Sequence, residues 1–270
     1  MFNVTRTVYN MALETAKMLN TPYVPLANTT LNEKYNRVIN SNDTDIAYLK
    51  YYGLGLNYQY KKDDKTIKVS SSKHRPYDID VYKPIPFLVR EKRIGLSSAE
   101  VALYSMRVLQ TIDDVEYICC YLKKIDNIAT NSDIYIITKN SDGKLVPEPL
   151  NTGSLLFTQP IPADTVCDLD NNYRFCGHSQ MINLILSDAE VENIKEGINI
   201  LYKDEPDEIK DSIGEFCLYT GIESIYNGER ELSKVQAGFF KAVDITISDI
   251  DDMFKYTINI GGTGALYVYR

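Results

Sequence analysis

A chain of 270 residues with 44% hydrophobic residues is long enough to bury one large core or two small ones without disulfides or metals. Its formal charge of −8 excludes a broad nucleic-acid surface, which needs clustered Lys and Arg to displace phosphate counterions. No run approaches the ~18 to 20 apolar residues of a membrane-spanning helix, and no charged-then-apolar signal region opens the chain, so a soluble protein made in a cytoplasm is expected.

Residues 1–45 read as an N-terminal arm. Val4, Val8, Met11, Thr15 and Met18 follow a helical stripe that leaves Arg6, Glu14 and Lys17 outside, which favours a helix over the second half of residues 1–20. Thr21 to Asn40, with Pro22 and Pro25, reads as extended loop, of the kind that wraps a neighbour in an assembly. Five tyrosines between Ile46 and Tyr60 surround Gly53-Leu54-Gly55. The third glycine and following helix of a phosphate-cradling loop are missing, so a backbone bend among packed tyrosines is expected. Asp63 to Arg75 is a polar loop. The cluster Lys61, Lys62, Lys65, Lys68, Lys73 and Arg75 is interrupted by Asp63 and Asp64 and reads as a solvated loop, where His74 is expected to face solvent.

The stretch from Tyr77 to Ile125 organises the chain. Asp78, Asp80 and Tyr82 alternate with Ile79 and Val81 up to Pro84 and Pro86, which points to an edge strand or arm. Ser97 and Glu100 form a capping box, with Leu96 and Val101 as the hydrophobic staple of a short helix. Tyr104–Thr111 and Val115–Lys124 make a hairpin turning at Asp113-Asp114, since Asp tolerates positive φ. Tyr117, Cys119 and Tyr121 would share one face and Ile118, Cys120 and Leu122 the other. Neither face is polar, so both should be covered.

A second hairpin is expected from Asp133–Lys139 through Asn140-Ser141-Asp142-Gly143 to Leu145-Val146. Pro147, Pro149, Pro160 and Pro162 bracket a connector, and a soft boundary falls near residue 150. Ser187 and Glu190 repeat the capping box before a helix carrying Val191, Ile194, Ile198 and Leu201, which Pro206 stops. Gly214–Tyr219, Ile222–Tyr226 and, after an Asn227-Gly228 turn, Lys234–Val243 are apolar pieces. Tyr256–Ile260 and Ala265–Tyr269 around Gly261–Gly264 suggest a terminal hairpin. The expected fold is α+β, predominantly antiparallel β, sandwich- or barrel-like, with two or three short helices and extended arms. Residues 46–150 form a β-rich core; residues 151–270 form a second α+β part or join it in one composite domain.

Chemistry-bearing residues are sparse. Cys167, Cys176 and His178 are zinc-ligand types, with Cys217 or Cys119 available as a fourth ligand. Their spacing fits no short knuckle, and reduced, buried thiols are the expected reading of five cysteines with Cys119 next to Cys120. Asp168-Leu169-Asp170 opens like a calcium loop but lacks the turn glycine and closing Glu. Asp113-Asp114 and Asp251-Asp252 would serve hydrolysis only if a cleft separated them suitably. With no Walker loop, nucleophile elbow or His-Glu-x-x-His, no cofactor, no metal and no catalysis are expected. The 21 tyrosines and absent tryptophan instead suit wet protein contacts. Tyr23, Tyr51, Tyr52, Tyr82, Pro84, Pro86 and Phe87 are the interface candidates.

In this order, Tyr23-Val24-Pro25-Leu26, Tyr35-Asn36-Arg37, Tyr51-Tyr52-Gly53-Leu54-Gly55, the run Asp80 to Phe87, Tyr121-Leu122-Lys123-Lys124 and the run Glu215 to Ile222 resemble a group of virion structural proteins of tailed bacteriophages. The resemblance covers most of the chain and rests on turn, strand and proline signals, so it carries no active site. It implies a neck, tail or baseplate part in the virion, assembled in the host cytoplasm from many copies in a ring or repeated unit. The partners it implies are copies of the chain and other virion proteins; charge and hydropathy add the expectation of no direct sequence-specific nucleic-acid binding and no membrane. A carbohydrate- or receptor-binding β module using exposed Tyr is the alternative. A metal-dependent hydrolase around Cys167 and His178 is the third reading.

Overall fold

The computed structural model describes residues 4–37, 39–40, 47–62, 65–69, 74–125, 127–128, 133–139, 141–149, 175–250 and 253–265. These belong to two compact units that interleave along the chain, residues 1–125 with 186–254 and residues 126–185 with 255–270. The chain thus leaves the first unit after Ile125 and returns at Leu186. The proline-bearing connector behind the expected boundary near 150 runs on through residues 150–174, outside the described residues.

The first unit opens with β1 (Val4–Arg6), α1 (Val8–Leu19), α2 (Leu31–Lys34) and β2 (Tyr48–Gly55). Then come β3 (Tyr58–Lys62), β4 (Lys65–Val69), β5 (Pro84–Ile85), β6 (Leu88–Glu91), α3 (Ser98–Leu103), β7 (Tyr104–Ile112) and β8 (Val115–Lys124). The second unit holds β9 (Asn127–Ile128), β10 (Asp133–Lys139), β11 (Leu145–Pro149) and β12 (Phe175–Leu186). Back in the first unit follow α4 (Asp188–Leu201), α5 (Asp207–Lys210), β13 (Ser212–Tyr226) and β14 (Glu229–Thr246), and β15 (Phe254–Ala265) ends the described chain. An eight-stranded sheet runs β1-β14-β13-β2-β8-β6, with β5 beside β2 and β7 beside β8. A five-stranded sheet runs β11-β10-β12-β15, with β9 beside β12, and β3 pairs with β4 alone. The fold is α+β and predominantly antiparallel.

The local signals that specify elements act through backbone chemistry. Asp113 and Asp114 adopt φ 48° and 64° between β7 and β8, and Asn227 and Gly228 adopt φ 52° and 80° between β13 and β14. Paired positive φ values match the right-handed twist of the flanking strands. Glu100 accepts a hydrogen bond from Ser97 N and returns one from its own N–H to Ser97 Oγ. Glu190 accepts from both Ser187 N and Oγ. Val191, Ile194 and Ile198 turn inward from α4, and Cys119, Cys120, Tyr121 and Leu122 are buried on both faces of β8.

Other segments differ from the sequence reading. Tyr77 to Lys83 is irregular rather than a strand, because Asp78 and Asp80 spend their carboxylates on nearby backbone and side-chain donors and so compete with a ladder. Gly53 and Gly55 lie inside β2 without a bend. Their missing Cβ atoms admit the Tyr219 ring and the Glu215 side chain, which would stand 3.0 and 2.7 Å from a Cβ. Lys65–Val69 is a strand inside the expected polar loop. Gly214–Tyr219 and Ile222–Tyr226 are one strand, and β15 passes straight through Gly261–Gly264. Glycines permit a turn but do not impose one when strand pairing continues.

Helix α1 is rotated from expectation. Tyr9, Asn10, Leu13 and Ala16 are buried, whereas Val8, Met11 and Met18 of the predicted inner stripe are 40%, 42% and 79% exposed. Its first turn sets the rotation. Thr7 donates from its N–H to Gly238 O at 3.0 Å and from Oγ1 to Ala237 O at 2.6 Å, while the Tyr9 hydroxyl reaches Tyr77 O.

The same contacts show that residues 4–37 are no free arm. They cover the outer edge of β14. Here β1 pairs with Phe239–Lys241 and Thr7 takes the carbonyls of 237 and 238. Asn32 accepts from Val235 N at 2.9 Å and donates to Leu232 O at 2.8 Å. Further along, Arg107 Nη2 donates to Arg230 O at 2.5 Å. Register shifts between Thr220/Ile222 and Leu218/Tyr219 bulge β14 there, and Lys234 at φ 51° turns Val235 N outward to Asn32. Replacing Asn32 by Ala should therefore lower the unfolding free energy by roughly 2–4 kcal/mol, since it strands two backbone groups worth ~1–3 kcal/mol each. Urea denaturation measures this, and a loss below about 1 kcal/mol would mean that water replaces the amide.

Candidate functional site

His74, expected at the surface, is the most enclosed ionisable side chain of the 74–83 segment, with its ring fully buried. Its Nδ1 stands 2.9 Å from Asp78 Oδ2 and its Nε2 2.8 Å from Glu215 Oε2. The ring lies between those of Tyr82 and Phe240, 4.0 and 3.9 Å away and 11° from parallel to each. Ionised carboxylates only accept, so His, Asp and Glu together must hold two protons to keep both bonds. Glu215 Oε1 also accepts from Tyr82 N at 2.7 Å. Burial would raise the Asp78 carboxyl, but hydrogen bonds from Arg75 and His74 hold it below the usual range. Burial, with Asp78 and Glu215 nearby, pushes the Tyr82 phenol up to about 12. No edge of this imidazole is open to a substrate. The cluster fastens the segment to β13.

Two other carboxylates act as joints. Asp80 accepts from Tyr219 Oη at 2.5 Å, Val81 N at 2.8 Å, Lys34 Nζ at 2.5 Å and Tyr35 Oη at 3.2 Å, so it ties α2 to β13. Burial and then the Asp80 charge drive the Tyr219 and Tyr35 phenols far above their ordinary value. Glu231, fully buried, accepts from Met106 N at 2.9 Å, Leu232 N at 3.0 Å, and Arg107 Nε and Arg37 Nη2 at 3.0 Å each. Met106 is held at φ 52° to aim its N–H there. Left-handed backbone is costly for such a side chain and persists only where its surroundings enforce it. Another buried carboxylate, Glu190, accepts from Tyr104 Oη and Lys123 Nζ at 2.8 Å each.

These joints shape an open cleft of about 660 Å³ in the first unit. Tyr35 and Arg37 follow α2, Leu96 precedes α3, Leu109 and Ile118 come from β7 and β8, and Tyr226 ends β13. Glu229 stands at the rim with its side chain 56% exposed and ion-paired to Arg107. The Arg37 guanidinium lies 5.6 Å from the centre of the Tyr226 ring. The lining is mixed, with Leu96, Val108, Leu109 and Ile118 beside the charged Arg37, Lys92, Arg107 and Glu229.

The residues singled out from the sequence are scattered. Tyr51, Tyr52 and Phe87 are at most 2% exposed and belong to the interior of the chain. Tyr23 is half-buried and donates to Gln236 Oε1 at 2.6 Å. Tyr82 stacks on His74, and Pro86 stands against the Cα of Gly197 in α4. Pro84 is partly buried and pairs with Gly55. Cys167 lies outside the described residues, while Cys176 and His178 pair in register with Ile136 and Ile134. Among the described residues no group of three His, Cys, Asp or Glu is placed to hold a metal. Asp113 is tied to Lys203 at 2.7 Å, and Asp251 and Asp252 lie outside the described residues. Sequence reasoning missed Asp80, Glu215 and Glu231. Only the His74/Asp78 spacing carried a local signal.

Fold and site together define a β-rich α+β chain whose buried ionisable groups serve as joints between elements and whose open feature is a cleft. It belongs to a family of unknown function, DUF7208, whose model matches residues 2–269. No curated protein and no solved structure matches it.

Substituting His74 by Phe leaves Asp78 and Glu215 without their shared partner and should cost ~3–5 kcal/mol. Adding Glu215→Gln to that variant should recover part of the loss, and a double-mutant cycle reads the coupling; strictly additive effects would show that the three groups do not act together. Asp78, Glu190 and Glu223 all have lowered carboxyl values. Their stabilisation is complete above the ordinary carboxylate range and is lost as pH falls through the folded values. Urea midpoints should therefore drop steadily as pH is lowered through and below the usual carboxylate range, and less so in an Asp78→Asn variant.

Proposed function

We propose that this chain is a non-catalytic structural subunit of a tailed-bacteriophage virion, working in the neck, tail or baseplate through contacts with copies of itself and with other virion proteins. One observation carries the subunit reading: ionisable groups are drawn inside as joints, while large apolar side chains stand outside. Met18, Leu19, Leu26 and Ile225 are 79%, 67%, 74% and 72% exposed. Exposed apolar surface of this kind marks interaction sites. The virion assignment rests on the resemblance of the quoted phrases.

A second reading, carbohydrate or receptor binding, draws on the Tyr35 and Tyr226 rings beside Asn36, Asn227 and Glu229 in the cleft. Glycan binding lost on Tyr226→Ala would replace the subunit reading. Mass spectrometry of purified phage particles, normalised to the major capsid protein, tests the leading one. A fixed copy number, several to a few dozen as an order of magnitude for closed assemblies, is expected. Absence of the chain from particles overturns it.

A further inference from the structure

Among the joints of the first unit, one hangs on a proton of the kind that leaves near neutral pH. Asp80, Glu231 and Glu190 take their charged partners from Lys34, Arg37, Arg107 and Lys123, and lysine and arginine side chains ordinarily keep their protons well into the alkaline range. The His74 joint has an imidazole in that place, the side chain whose charge ordinarily changes between about pH 5 and 8. Its ring is fully buried and meets a carboxylate at each nitrogen, Asp78 at 2.9 Å and Glu215 at 2.8 Å.

Bond count and charge count agree on the state of this ring. A neutral imidazole has one N–H and one bare nitrogen, and a bare nitrogen cannot bond an ionised carboxylate, which only accepts. Glu215 spends its other oxygen on Tyr82 N and meets its positive charge in His74. Without that charge a carboxylate of β13 would lie buried and uncompensated. Asp78 also accepts from Arg75 N at 2.9 Å and Arg75 Nε at 3.0 Å, so with His74 charged the two cations and two carboxylates sum to zero. The ring faces point the same way, because Tyr82 and Phe240 stack on them at 4.0 and 3.9 Å and an aromatic face favours a cation. The phenols beside the cluster, Tyr82 and, from α1, Tyr9, are both pushed up by burial and then by Asp78, so neither adds a charge near neutral pH.

We propose that His74 is an imidazolium in the folded chain and that its proton pins a clasp, so that losing the proton releases residues 74–83 from β13 and β14. The start of α1 rests on the same segment, since Val8 N donates to Pro76 O at 2.8 Å and the Tyr9 hydroxyl to Tyr77 O. The unfolded chain sets the direction in pH. Its free imidazole is mostly neutral above about pH 6.5, so from there the folded chain holds one proton more and its stability falls as pH rises, until the folded cluster gives up the proton too. Between about pH 6.5 and 8.5, below the ordinary thiol and phenol ranges, the folding equilibrium should fall by up to about tenfold per pH unit.

The chain has two histidines, so isotope labelling of histidine in a full-length His178→Gln chain leaves one imidazole to follow by NMR. Both of its ring nitrogens should be protonated at about pH 7.5, where a free histidine is mostly neutral. One bare nitrogen at that pH overturns the proposal. Adding Glu215→Gln supplies an amide that can donate to a bare Nε2, so both bonds survive around a neutral ring. That variant should show one bare nitrogen, and urea unfolding should show the pH slope lost. An unchanged slope would place the proton on some other group and overturn the clasp. If the substitution prevents folding, the spectrum of the chain that keeps Glu215 decides by itself.

Discussion

The exposed edge of β14 is the constraint on which the rest of the first unit depends. An 18-residue strand offers a row of unpaired amides and carbonyls, and such a row recruits other chains unless it is covered. Here the cover is assembled from pieces. A three-residue strand, a threonine cap, the amide of Asn32 and the guanidinium of Arg107 each take the groups within their reach. The bulges of β14 make this division possible. They bend the strand and redirect Val235 N so that a side-chain amide, rather than a ladder, completes the edge.

Buried carboxylates join the pieces. Glu231 gathers donors from α2's C-terminal side, β7 and β14; Asp80 gathers them from α2 and β13; and Glu215 meets the His74 segment from β13. An unpaired buried charge is expensive, and an apolar replacement of the whole set is often no less stable. What such a set supplies is uniqueness. Each carboxylate accepts from several elements at once, and a displaced element would leave it short of donors. The φ of Met106 is the local cost of satisfying Glu231.

The surface follows from this interior. Rotation of α1 is set by Thr7 and Tyr9 at its first turn, so the helix presents its second apolar stripe outward. The end of α2, fixed by Asp80 and Glu231, becomes one wall of the cleft. The cleft and the outward stripe are thus consequences of the same joints that close the β14 edge.

What the sequence by itself determined is local. Turns at Asp113-Asp114 and Asn227-Gly228, the capping boxes at Ser97 and Ser187, and the α4 stripe depend on side chains within a few residues of the backbone groups they satisfy. Thr30-Leu31-Asn32-Glu33 carries the same box, and Glu33 accepts from Thr30 N and Oγ1, so the stretch from Thr21 to Asn40, expected as extended loop, holds the helix α2 and a local signal for it. Tertiary structure alone decided which face of α1 turned inward, since both stripes are apolar and a contact with residues 237 and 238 chooses between them. It alone decided that Gly53 and Gly55 make room for Tyr219 and Glu215 instead of bending the chain. It also buried His74, whose second carboxylate lies 141 residues away. Periodicity and spacing report the neighbours of a residue along the chain, whereas the joints and the cleft are made by residues that meet only when distant strands pair.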